Sequence, residues 1–203
     1  MNYGRRDLKP KKALLIVDVQ NDFCPGGALA VPQGNEVVSV LNKYIQIFSK
    51  EKLPIFASRD WHPLQTNHFK QFGGQWPQHC VQNTEGAGFH PGLKLPKQKI
   101  ILSKGMQPDK DSYSVFQAVD KKGTEFLTLL RSLGVEELFV GGLATDYCVK
   151  YSVLDALKSG FKVYLLIDAI RGVDIKPGDS DDAIAGMTSR GAKKMTYDTL
   201  SKG

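Results

Sequence analysis

ELFVGGLATDYCVKYSVLDALK, residues 137–158, holds a short apolar run, a Gly-Gly pair and a helical stretch in immediate succession. The run Glu137–Val140 lacks polar alternation, as expected of a strand buried on both faces. The Gly-Gly pair reads as a turn, and Asp146–Lys158 reads as a helix that stops before Gly160, a residue suited to the left-handed conformation at a helix end. A buried strand that leads straight into a helix is half of a βαβ unit, the building block of a parallel sheet.

The same pattern recurs outward from this stretch. Apolar runs of strand length lie at Ala13–Val19, Pro54–Ser58, Ile100–Leu102 and Val163–Ile167, and helical stretches lie at Asn35–Lys50, Thr124–Leu133 and Asp181–Ser189, with Gly134 as a second helix stop. This alternation predicts the α/β class, a three-layer α/β/α arrangement around a doubly wound, mainly parallel sheet. A chain of 203 residues suits one domain over 1–203 that buries its core without disulfides. The segment Asp60–Lys97 breaks the pattern, being rich in Gly, Pro, Gln, His and Trp and without periodicity. Long irregular insertions are functional or disordered. This one contains both tryptophans and all four histidines of the chain, which argues against disorder.

Composition narrows the function classes. No apolar run approaches the roughly 18 residues of a membrane span, so no membrane partner is expected. The net charge is +6, but the lysines are scattered in pairs such as Lys121 and Lys122. Without a basic stripe interleaved with aromatics, that charge reads as a solvated surface and not as a nucleic-acid face. Three cysteines, Cys24, Cys80 and Cys148, are too few for a disulfide framework and fit a reducing compartment that leaves room for a reactive thiol. Cys24 and Cys80 are read as packing residues. The segment Met1–Lys12 is polar and basic and lacks the apolar region of a secretory signal, so a cytoplasmic location is expected. Nothing in the pattern decides between a monomer and a homo-oligomer.

In doubly wound sheets, ligands bind beyond the carboxyl ends of the strands. The residues there are Asp18, then Asp60 and His62, then Lys104, then Cys148. Cys148 sits about one turn into its helix behind Thr145 as N-cap, where free N–H groups and the helix dipole favour a thiolate or an oxyanion. Each residue also has a plain alternative: a packed cysteine, a carboxylate capping a turn, a surface lysine. Their coincidence favours chemistry, because acyl transfer needs a nucleophile, a proton carrier and a cation together. Asp60 and His62, two apart, with His68 and His79 beyond, form a reasonable ligand set for Zn²⁺, Fe²⁺ or Mn²⁺. Surface histidines in a loop are the competing reading.

Five blocks in order, ALLIVDVQNDFCPGGALAV, SRDWHP, WPQHCVQNTEGAGFHP, KG followed by DSYSVF, and GGLATDYCV, resemble the nicotinamidase/pyrazinamidase family of the isochorismatase-like hydrolase superfamily. The resemblance extends from Lys12 to Tyr197. It implies a catalytic triad of Asp18, Lys104 and Cys148. It implies one divalent metal ion held by Asp60, His62 and His79, with His68 as a fourth ligand. The implied ring pocket is formed by Phe23, Trp76 and Tyr113, with Leu143 and Tyr147 beside the nucleophile. A cis peptide between Leu143 and Ala144 is implied, turning the Ala144 and Cys148 N–H groups into an oxyanion hole. The implied substrate is nicotinamide, hydrolysed through a cysteine thioester in NAD salvage, with pyrazinamide as a second substrate. The loop between Lys104 and Tyr113 is longer than the family pattern.

Other readings compete with this one. Another cysteine amidohydrolase of the superfamily would share the triad, whereas isochorismatase, which cleaves a vinyl ether, would not need Cys148. A nucleotide-binding domain would carry GxGxxG after the first strand, which is missing here. A metal-stabilised interaction module would have no use for the triad.

Overall fold

The computed structural model describes residues 11–202; Met1–Pro10, on which most of the signal-segment reading rests, lies outside the described residues. The strands are β1 (Lys11–Val17), β2 (Ile55–Asp60), β3 (Ile100–Lys104), β4 (Val135–Leu143), β5 (Lys162–Arg171) and β6 (Lys193–Met195). The helices are α1 (Glu36–Lys50), α2 (Phe126–Ser132), α3 (Lys150–Lys158), α4 (Asp179–Ser189) and α5 (Tyr197–Ser201). The sheet order is β3-β2-β1-β4-β5-β6, and every pairing is parallel. From β1 the chain builds outward to β3, then returns to lay β4 on the other side of β1. That reversal opens a crevice between β1 and β4 at their carboxyl ends.

Side chains alternate across β1, and each set finds its own helical layer. Ala13, Leu15 and Val17 pack with Leu130 of α2, Val153 of α3 and Met187 of α4. Leu14 and Ile16 pack with Val37, Leu41 and Phe48 of α1, and Leu200 of α5 joins that side. The three-layer expectation is met. In α1 the buried positions Val37, Val38, Leu41, Tyr44, Ile45 and Phe48 recur every three or four residues and make one apolar stripe. Among the described residues, no helix is long and apolar enough to cross a membrane.

Several expectations are corrected. The Gly-Gly pair is not a turn: β4 continues through Gly141 and Gly142 to Leu143. At Gly142 the pairing with β5 jumps from Val140 opposite Leu165 to Gly142 opposite Ile170. The predicted helix at Asp146 begins instead as a π turn, Thr145–Val149, with Ala144 and not Thr145 at its N-cap and no side-chain cap. β5 extends to Arg171, past Asp168, whose carboxylate accepts from the Tyr44 hydroxyl (2.9 Å) and the Tyr197 N–H (2.8 Å). β6 and α5 were not expected from the pattern. β6 is a three-residue edge strand, KKM, whose two lysines are exposed, a sequence that blunts a sheet edge without carrying a strand signature.

Gly142 sets how closely β1 and β4 approach. Its φ is +124°, and a Cβ there would lie 2.1 Å from the Val17 carbonyl oxygen. Gly142→Ala is therefore expected to destabilise the fold by about 2–5 kcal/mol, combining backbone strain with overpacking. Urea denaturation measures this, and a loss below about 0.5 kcal/mol, typical of an unconstrained surface site, would refute the close approach.

Candidate active site

Three strand ends meet at the crevice. Asp18 directly follows β1 with a left-handed backbone, φ 47°, Lys104 ends β3, and Cys148 lies in the π turn that follows β4. All three side chains are buried. The Lys104 ammonium lies 2.9 Å from Asp18 Oδ2 and 3.4 Å from Cys148 Sγ, and it donates to Asp60 Oδ1 and to the Ser112 carbonyl. Asp18, Asp60 and Cys148 each offer an atom within 4.8 Å of the others.

Burial and charge set the protonation states. Burial alone would strip the Lys104 proton, but Asp18 and Asp60 override it and hold the ammonium charged well above an ordinary lysine. Burial also opposes charge on Asp60, yet Lys104 keeps that carboxyl below its usual range. Asp18 goes the other way: burial, with the charge of Asp60 added, raises it despite Lys104. Two carboxylates on one ammonium are thus pushed apart, one a fixed counter-ion and the other able to accept a proton. Burial likewise pushes the Cys148 thiol well up, despite the neighbouring Lys104 ammonium.

His62, His68 and His79 converge beside this group, with one ring nitrogen of each within 4.8 Å of the others. In each ring Nδ1 faces an acceptor: the Gly105 carbonyl for His62 (3.1 Å), Asp111 Oδ1 for His68 (2.5 Å) and the Pro77 carbonyl for His79 (2.8 Å). An Nδ1–H that donates outward leaves the Nε2 lone pair free, the form in which imidazole binds a metal. His62 Nε2 is buried without a hydrogen-bond partner, and burial pushes His62 down to about 4 and lowers His79 as well. His62 and His79, held neutral with Nε2 of His62 unpartnered, fit a divalent cation. Asp60 Oδ2 lies 3.9 Å from His62 Nε2, so the carboxylate on Lys104 also reaches the histidines.

Above Cys148 is a narrow cavity of about 30 Å³, lined by Phe23, Leu29, Asp60, His68, Trp76, His79, Tyr113, Ala144, Tyr147, Cys148 and Val173. A wider surface groove of about 500 Å³ beside Cys24 and His90 is lined by neither Asp18, Lys104 nor Cys148, so the chemistry belongs to the smaller space. Phe23, Trp76, Tyr113 and Tyr147 all line it, and the Tyr113 hydroxyl accepts from Trp76 Nε1 (2.9 Å) and Gln75 Nε2 (3.0 Å). Leu143 does not: it is fully buried in the α1-side core, because it belongs to β4. Leu29 and Val173 supply the aliphatic wall. The Leu143–Ala144 peptide is cis. The Ala144 carbonyl accepts from the N–H groups of Tyr147 (3.1 Å) and Val149 (3.0 Å), passing over that of Cys148. Cys24 and Cys80 are buried and unpaired, in agreement with packing roles.

Sequence reasoning missed several supports. Ser58 Oγ donates to Asp18 Oδ1 (2.7 Å). Gln20, fully buried, accepts from the Asp60 N–H and donates to the carbonyls of Asp60 and Ala87. Asp22 accepts from the Cys80 N–H (2.7 Å), next to His79. Asp146 accepts from the N–H groups of Val173 (2.9 Å) and Asp174 (2.8 Å), anchoring the loop that carries Val173 to the cavity. Gln20 and Asp22 lie within QNDF directly after β1, a polar cluster that was the available signal.

Residues 12–199 match the isochorismatase domain family. The chain belongs to that family. Among its isochorismatase relatives, the nicotinamidase of Escherichia coli (strain K12) is 45% identical, with the match covering 92% of this chain and 95% of that protein. A crystal structure of the pyrazinamidase of Pyrococcus horikoshii in complex with zinc superposes with a TM-score of 0.85 at 46% identity, covering 93% of this chain and all of that one. PnC1 from L. infantum in complex with nicotinate gives a TM-score of 0.81 at 34% identity, covering 93% and 94%. Within the isochorismatase family the chain therefore falls with the nicotinamidases and pyrazinamidases, and its histidine cluster and the zinc-bound relative together indicate a metal site.

Gly105 lies against that site. Its φ is +67°, and a Cβ there would lie 2.5 Å from His62 Cε1. Gly134 has the same φ with nothing near its Cβ position. Loaded with Zn²⁺ and then dialysed, Gly105→Ala is expected to lose most of the metal while Gly134→Ala keeps it, as read by elemental analysis. Equal zinc in both would show that His62 is not held where the geometry puts it.

Proposed function

We propose that this chain is a nicotinamidase that hydrolyses nicotinamide to nicotinate and ammonia, and pyrazinamide in the same way, through a thioester on Cys148. The observation that carries this is the Asp18, Lys104 and Cys148 group beneath an aromatic-lined cavity, with a histidine cluster at its side. The named relatives support the same substrate class.

His62, His68, His79 and Asp60 would hold one divalent cation, for which imidazole and carboxylate ligands suit Zn²⁺, Fe²⁺ or Mn²⁺. When bound, that cation supplies a Lewis-acidic anchor for the ring nitrogen of the substrate and a positive field beside the reacting carbonyl. Phe23, Trp76 and Tyr113 enclose the ring, which fixes the carboxamide over Cys148. The thiol proton passes to Asp18 as sulfur attacks the carbonyl carbon. The N–H groups of Ala144 and Cys148 receive the developing oxyanion, and Lys104 stays protonated throughout to balance the charge. Asp18 then gives its proton to the amide nitrogen, the C–N bond breaks and ammonia leaves. Water attacks the thioester while Asp18 takes one of its protons, and the C–S bond breaks as that proton returns to sulfur, releasing nicotinic acid, which ionises to nicotinate. A raised Asp18 suits this cycle, because a base that must also act as an acid works best near the ambient pH. A cytoplasmic location is part of the same proposal, supported by three unpaired cysteines.

Ammonia release from nicotinamide tests the assignment. Cys148→Ala is expected to abolish turnover with the fold intact, and Asp18→Asn to cost at least about 10³-fold in kcat, since an amide cannot carry the proton. Parent-like turnover by either variant would rule out the thioester route.

The pH dependence has a defined sign. Asp18 must be ionised to accept the thiol proton, so kcat/KM falls as pH drops through its raised pKa. Ser58 stabilises the carboxylate and lowers that pKa. Ser58→Ala is therefore expected to move the acid limb of the profile to higher pH. A limb that stays put or moves lower would show that Asp18 is not the group titrating there.

A further inference from the structure

The loop Gly105–Ser112, between β3 and the short 3-10 turn at Val115–Gln117, touches the histidine cluster at more than one point. The Pro108 carbonyl accepts from the Asn67 N–H (2.8 Å) and the Thr66 hydroxyl (3.1 Å), and Thr66 Oγ1 in turn accepts from the His68 N–H (3.3 Å). This seats the loop against the two residues immediately before His68. Its first residue, Gly105, gives its carbonyl to His62 Nδ1, and Asp111, near its end, gives a carboxylate oxygen to His68 Nδ1. The Asp111 side chain is 58% exposed, while that of His68 is 5% exposed. A surface carboxylate thus reaches over a buried ring.

We infer that Asp111 is a positioning residue for the metal site: by accepting the Nδ1–H of His68, it fixes that ring in the tautomer and orientation that present Nε2 to the cation. The inference rests on the metal-bearing reading of the histidine cluster. Three features carry it. The contact engages Nδ1 of His68, so it leaves Nε2 of the same ring free. His68 enters the cluster from the irregular insertion and not from a strand, so its ring has no sheet to hold its direction. The other two rings have backbone carbonyls as outer acceptors, whereas His68 depends on a side chain. A carboxylate is also a stronger acceptor than a carbonyl and makes the imidazole it grips a better donor to a cation. Because the same loop also supplies the Ser112 carbonyl to Lys104, one segment supports both halves of the site.

The test uses the full chain, stripped by chelator and titrated with Zn²⁺ against a chromogenic competitor, with Co²⁺ substitution read in the visible spectrum. Asp111→Ala is expected to weaken Zn²⁺ binding by about 10–100-fold and to alter the Co²⁺ bands. Asp111→Asn, which keeps an oxygen acceptor but loses the charge, should fall between the parent and Asp111→Ala. If the parent binds one equivalent, His62→Ala binds none and Asp111→Ala binds as the parent does with an unaltered Co²⁺ spectrum, the metal reading stands and the role of Asp111 is overturned. A lower melting temperature with unchanged Zn²⁺ affinity overturns it equally, because that is the signature of a loop anchor. A parent that takes up no metal removes the metal reading, and the role of Asp111 with it.

Discussion

Lys104 carries a positive charge with almost no access to water, and nearly every feature of the site follows from keeping it there. Removing an ion of this kind from water costs several kcal/mol even after the protein relaxes. One carboxylate would neutralise it, but the fold brings two, Asp18 from the end of β1 and Asp60 from the end of β2. With both ionised the buried group would carry an excess negative charge in a poorly solvated space. The conflict is resolved unequally: Asp60 stays low and Asp18 is raised. Sheet order brings the charges together, since β1, β2 and β3 are adjacent, and the inequality follows from the histidines, which lower Asp60 alone. Burial, with the two carboxylates added to it, keeps the Cys148 thiol protonated at rest despite Lys104. The nucleophile then has to be generated during the reaction, when a carbonyl is present to receive it.

Asp60 links the two halves of the site. One oxygen faces Lys104 and the other faces His62, so a cation held by the histidines and the ammonium of Lys104 would share one carboxylate. Charge introduced at the histidine cluster must therefore be felt at Lys104 and, through it, at Asp18 and Cys148. Electrostatic coupling of this kind is strong where water is excluded, and the lining of the cavity is largely aromatic and aliphatic.

The parts of this arrangement legible in the sequence are those tied to the sheet. Asp18, Asp60, Lys104 and Cys148 each follow an apolar run of strand length, and a parallel sheet obliges the ends of such runs to lie on one rim. The α/β alternation is equally plain because buried strands and the stripe of α1 have distinct periods. Residues that act through tertiary approach are not legible. Ser58 looks like any small residue of β2, Asp111 like one acid among several in a polar loop, and Val173 like the tail of β5. The Gly-Gly pair misleads because glycine serves turns and close strand approaches alike. At Gly142 the second use applies, and it carries β4 three residues beyond Val140, placing Leu143 in the core and Ala144 at the cavity. β6 and α5 are too short to generate a period at all.

The insertion after β2 poses a different problem, because it builds a metal-binding cluster almost without regular structure. Among the described residues between Asp60 and Lys97 there is one short 3-10 turn, with a few isolated bridges. Backbone N–H and C=O groups buried there still require partners, and side chains supply many of them. Gln20 bonds to Asp60 and Ala87, Asn21 to Glu85, Asp22 to Cys80, and Gln82 to the Trp61 carbonyl. Gly86 packs so closely that a Cβ there would lie 2.2 Å from the Asp22 carboxylate. The QND segment after β1 thus does for the insertion what a neighbouring strand would do for a strand. Asp18, two residues earlier, is held by the same segment, so the proton carrier and the residues that hold the histidine loop in place descend from one strand end. A shift in that segment would disturb the acid–base group and the histidine cluster together, which ties the geometry of the two more tightly than their separate origins in the chain would suggest.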